Sequence, residues 1–100
     1  MSTKYIRHKE LCDLLNEIYK KKNADYGDSF HLSYEEEGMA MPRIRLTDKL
    51  NRFKALTRTG KQNVKDESMI DTLIDLANYA LMTVLEIEED RKKNGVSPNG

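Results

Sequence analysis

The sequence has no tryptophan, a single cysteine, two prolines and no excess of either charge, because its 17 basic and 17 acidic side chains cancel. A lone Cys12 excludes a disulfide within one chain, and no Cys/His pair has zinc-site spacing. A reducing compartment, and hence a cytoplasmic location, is the expectation. The opening "MSTKYIRHKE" is polar, and no apolar run approaches the roughly 20 residues that span a bilayer, so no membrane partner is expected. Also missing are a glycine-rich phosphate loop, a nucleophile elbow and any Ser/His/Asp arrangement. These absences remove the best-marked routes to catalysis.

What is present fits one small domain. A chain of 100 residues buries only part of its surface in a monomeric core, which makes self-association a natural expectation. The apolar share of 38% and charged share of 34% suit a soluble, helix-rich fold with a highly charged surface. The charge is unevenly placed. Arg43, Arg45, Lys49, Arg52, Lys54, Arg58, Lys61 and Lys65 are opposed only by Asp48, and then every ionised side chain from Asp66 to Asp90 is acidic. Two neighbouring segments are thus electrostatic complements, either as helices that neutralise each other or as a site needing cations for phosphate and anions for metal.

Hydrophobic spacing predicts an all-α chain. Leu11, Leu14, Leu15, Ile18 and Tyr19 mark a first helix over about Tyr5 to Lys22. A long loop is expected from Asn23 to Leu46, where Gly27, Gly38, Pro42 and the run Glu35 to Glu37 show no period beyond one turn near Ser29 to Leu32. Thr47 reads as the N-cap of a second helix carrying Leu50, Phe53 and Leu56 to about Arg58. A third, from about Asp66 to Lys93, is apolar around more than half its circumference and needs partners on several sides. The expected architecture is a small bundle of three main helices with a long loop after the first, completed by dimerisation. Residues 1–93 form the domain, and 94–100 a flexible tail.

The third helix carries the most telling pattern. At about 100° per residue, Glu67, Asp71, Asp75 and Asn78 fall within an arc of about 80°, bordered by Ile74 and Leu85. Carboxylates at the edge of a buried face require a counter-charge. One candidate is the basic side of the second helix. The other is Mg2+, which binds through one or two carboxylates together with substrate phosphates. In that case Glu67, Asp71 and Asp75 are the metal ligands, and Lys49 and Arg52, one turn apart, hold phosphate. Tyr26, Phe30 and Tyr34 supply either a stacking surface for a base or anchors of the loop in the core. Elsewhere the patterns are ordinary. Glu10, Asp13 and Glu17 form a solvated face or a second carboxylate wall, and His8, His31 and Cys12 have no ligand-like partners in sequence.

Three blocks, "KKKNADYGDSF", "RIRLTDKLNRFKAL" and "DESMIDTLIDLANYALM", resemble in order and spacing the nucleotide modification associated domain 1 family over about residues 20 to 86. That resemblance implies an all-helical protein of phages and related bacterial elements, working in host cytoplasm on nucleotide metabolism or DNA base modification. Tyr26, Gly27, Lys49, Arg52, Glu67, Asp71, Asp75, Asn78 and Tyr79 occupy the family's motif positions. A more distant likeness is to the all-α nucleoside triphosphate pyrophosphatases of the MazG and dimeric dUTPase type, whose helical ExxE and ExxD motifs hold magnesium against a triphosphate. Here Glu67 and Asp71 stand four apart rather than three. The expected function is binding of a nucleotide or deoxynucleotide with Mg2+, and, if the chain is an enzyme, hydrolysis of a nucleoside triphosphate to monophosphate and pyrophosphate by a homodimer. The alternatives are a charge-matched homodimeric interaction protein without enzymatic activity, and, less favoured, nucleic-acid binding through the basic stretch. About eight residues separate the second and third helices, too many for a helix-turn-helix.

Overall fold

The leucine spacing of the first segment and the apolar density of the last are both realised as helix, and so is most of what lies between. The computed structural model describes residues 3–26, 28–58 and 62–95; the side chains of Tyr26 and of residues 62–66 lie outside that description. Four helices follow one another: α1 (Lys4–Tyr26), α2 (Ser29–Glu37), α3 (Ala40–Arg58) and α4 (Gln62–Lys93). The all-α class is as expected. The architecture of three helices, a long loop and a subunit needed to complete the bundle is overturned, because much of the expected loop is helix and α2 supplies a fourth element from the same chain.

Local chemistry explains the difference. Asp28 caps α2, its Oδ1 accepting from the His31 amide at 3.4 Å, and Gly38 ends that helix at φ +68°, where its N–H donates to the Tyr34 carbonyl at 2.8 Å. Positive φ strains a residue with a Cβ, so glycine suits the site. Pro42 lies in the first turn of α3, where a missing N–H costs little, and is fully buried. Thr47 is not an N-cap. It lies inside α3, and its hydroxyl donates to the Arg43 carbonyl at 2.7 Å.

Consecutive helices α3 and α4 pack as an antiparallel pair, bringing Lys49 beside Asp75. Helix α1 meets α4 through the Asn78 side chain, whose Nδ2 donates to the Leu15 carbonyl at 3.1 Å. The short α2 is pinned by Phe30, which is buried and stacks on Tyr79 with ring centroids 6.0 Å apart. Its outer edge is tied to the far end of α4. His31 Nδ1 donates to Glu86 Oε1 at 2.7 Å, the Tyr34 hydroxyl to Asp90, and Lys93 Nζ to Glu35 at 3.0 Å.

The expectation about membranes is neither strengthened nor weakened by α4, because the core helix of a soluble protein can be as long and as apolar. By length and composition alone, Glu67–Lys93 is apolar enough to cross a bilayer; Asp71 and Asp75 interrupt the run that a search for unbroken apolar sequence registers. The expected tail begins at Asn94, whose N–H still bonds the Asp90 carbonyl, and residues 96–100 lie outside the described set.

Candidate functional site

All four helices contribute to one cleft of about 280 Å3. Its apolar walls are Tyr19, Phe30, Met41, Tyr79 and Met82, and its polar groups are Lys22, Asn23, Ser29, Ser33, Arg45, Asp75 and Asn78. Apolar and aromatic walls with a few convergent polar groups are the usual makeup of a small-molecule site, and this volume falls near the small end of the range, about 300–1,000 Å3.

The helical phase of each element aims these groups inward. On α1, Tyr19 and Lys22 are one turn apart and share a face. On α3, Arg45 and Lys49 are likewise one turn apart. On α4, Asp75, Asn78, Tyr79 and Met82 form a continuous i, i+3, i+4, i+7 row. Asp75 is the meeting point: Lys49 Nζ approaches its Oδ2 at 3.3 Å and Lys22 Nζ its Oδ1 at 3.7 Å. The counter-charge that the carboxylate line required is therefore supplied to Asp75 from both α1 and α3. Asn78, only 9% exposed, uses its amide N–H to hold α1 and presents the rest of its side chain to the cleft.

The sequence-derived candidates separate. Asp75, Asn78, Tyr79 and Phe30 line the cleft, and Lys49 adjoins it through Asp75. Glu67 and Asp71 lie on exposed turns of α4, and Arg52 is exposed on α3. Tyr34 faces Asp90, away from the cleft lining. Gly27 lies outside the described residues, as does the side chain of Tyr26, which closes α1. Lys22, Arg45 and Tyr19 were not singled out by sequence, although Arg45 extends the Lys49/Arg52 series by one turn. A helix that begins at Thr47 leaves Arg45 outside it, whereas α3 starts at Ala40 and includes it.

Among the described residues no group of three or more His, Cys, Asp or Glu side chains could hold a metal ion. Both Asp75 oxygens are engaged by ammonium groups. The expectation of Mg2+ at Glu67, Asp71 and Asp75 thus draws no support from side-chain geometry. On α1 the acidic residues pair locally, Glu10 with Arg7 at 3.1 Å, Asp13 with Lys9 at 3.0 Å and Glu17 with Lys20 at 3.7 Å, on a solvated face.

A second cluster borders the cleft at α2. His31 lies between Glu86 on α4 and Glu35 on α2, and its pKa is raised above 6.5, chiefly by the hydrogen bond to Glu86. The bond to Asp90 pushes the Tyr34 phenol up to about 12, and Glu35 raises the Lys93 ammonium. These groups clamp α2 in place.

The family model for nucleotide modification associated domain 1 matches residues 22–87. The chain belongs to this family. The matched stretch contains Lys22, Arg45, Asp75, Asn78 and Tyr79 of the cleft, and Tyr19 falls just before it. No curated protein and no solved structure matches the chain. Membership in the nucleotide modification associated domain 1 family supports a role connected with nucleotide modification in general, and the reaction is a separate question.

Proposed function

We propose that the four-helix cleft binds a nucleotide, with the base against Tyr19 and the stacked Phe30–Tyr79 pair and the phosphate at Lys22, Arg45 and Lys49. The observation that carries this reading is the convergence of lysines from two helices on Asp75 at the edge of an aromatic cleft. A carboxylate shared by two ammonium groups is a resting counter-ion, and an incoming phosphate, with more oxygens and more charge, displaces it from the lysines. Arg45 adds a planar donor fork suited to phosphate. The aromatic rings offer stacking area. The volume suits one mononucleotide rather than a dinucleotide or duplex. Family membership is consistent with this ligand class.

The test is thermal unfolding against ribo- and deoxyribonucleoside mono-, di- and triphosphates, with and without Mg2+, followed by a pyrophosphate assay on any stabilising pair. A nucleotide at 100 times its Kd stabilises by about 2.7 kcal/mol, an easily measured shift in a domain this small. Lys22→Ala and Arg45→Ala should each reduce that shift. A Mg2+-dependent shift with pyrophosphate release would extend the proposal to hydrolysis. No shift with any nucleotide would sink it.

A further inference from the structure

We propose that the outer face of α4 is the contact surface for a second copy of this chain, with the helices crossing antiparallel about a two-fold axis at Ala77. Ile70, Leu73, Ala77, Leu81 and Val84 lie about 170° around the helix from the face formed by Asp75, Tyr79, Met82 and Glu86. They form a second apolar stripe pointing away from the chain's own core. Ile70 is 57% exposed, Leu81 53% and Val84 50%. This stripe is a different surface from the bundle interior, which α2 completes within the chain.

Area argues for a protein partner. The chain exposes 7732 Å2, whereas a compact monomer of 11.6 kDa exposes about 5,800 Å2. The excess is about 1,900 Å2, and half of that would still meet the roughly 800 Å2 per partner of a standard interface. The radius of gyration, 16.0 Å, likewise exceeds the ~13 Å usual for this length.

The order of side chains suits a second copy as the partner. The steps along the stripe are three, four, four and three residues, so it reads alike in both directions from Ala77: Leu73 and Leu81 are equidistant from it, as are Ile70 and Val84. An isologous antiparallel contact sets each residue against its mirror position, Ile70 on the second copy's Val84 and Leu73 on its Leu81, with the small Ala77 where the helices cross most closely. The nucleotide cleft faces the opposite way and is complete in each copy, so this inference does not depend on the proposed ligand.

The experiment is sedimentation equilibrium of the full chain, combined with oxidative cross-linking in a Cys12→Ser background. The wild type should sediment at twice the chain mass. Ala77→Cys should cross-link to itself. Ile70→Cys should not, because its two copies lie about 21 Å apart in this register; mixed with Val84→Cys, it should. A Leu73→Asp/Leu81→Asp variant should sediment as a helical monomer, and if it fails to fold the cross-linking pattern still decides. A monomeric wild type, a dimer that ignores position 77, or a chain that floats with phosphatidylcholine vesicles instead of dimerising would each overturn the proposal.

Discussion

Asp75 is the residue on which the carboxylate pattern and the basic segment meet. Its lysine partners make it a competitor of an anionic ligand, which gives a prediction opposite in sign to that of a metal ligand. Partly exposed pairs of this kind contribute about 0.2–1 kcal/mol, so Asp75→Asn should tighten nucleotide binding in the absence of Mg2+ by up to about fivefold. Calorimetric titration of both proteins measures it, and a large loss of affinity would favour the metal role instead. His31 supplies a second prediction at this scale. Its folded pKa is raised, so the stabilisation it provides is fully present below its ordinary value of 6.5 and lost as pH rises through the folded value. The groups facing it, Glu86, Glu35 and Asp28, are all acidic. Melting temperatures of wild type and His31→Gln should differ most below the ordinary value of about 6.5 and draw together as pH rises through the raised folded value. A constant gap across that window would remove His31 as the titrating clamp.

At the scale of elements, α1 and α4 were legible because they are long and strongly patterned. The spacing of Leu11, Leu14, Leu15 and Ile18 and the apolar density after Asp66 survive any context. Helix α2 was not, because its nine residues lack a dominant apolar period and are fixed by contacts remote in sequence: Phe30 on Tyr79, His31 on Glu86, Tyr34 on Asp90. Gly38 and Pro42, which in sequence resemble loop markers, form a helix end and a helix start. The same likeness hid Arg45. The site was therefore half legible: Asp75, Asn78 and Lys49 emerged from spacing, while Tyr19, Lys22 and Arg45 needed the packing of α1 and α3. If α2 is a wall of the cleft, Phe30→Ala should cost about 3–5 kcal/mol and weaken nucleotide binding. Hydrogen exchange should then accelerate at α2 amides before those of the α3/α4 pair. Gly38→Ala meets nothing within 4 Å, so its cost is backbone strain at φ +68° and ψ −153°, about 1–3 kcal/mol, read as a fall in melting temperature of about 4 °C or more.

For the whole molecule, one helix serves two purposes. The inner face of α4 carries Asp75, Asn78 and Tyr79 for the cleft, and its outer stripe is apolar and exposed. This division explains how a helix with enough apolar residues to pass for a membrane span also carries a row of polar groups. In the proposed function, the polar side of α4 binds the nucleotide together with Lys22 and Arg45. Amide chemical-shift mapping of the isotopically labelled chain during nucleotide titration tests it most directly. Saturable shifts are expected at Lys22, Asn23, Phe30, Arg45, Asn78 and Tyr79, with the outer stripe of α4 unchanged. Shifts confined to Glu67 and Asp71, or to the outward basic residues Arg43, Lys54 and Arg58, would contradict it.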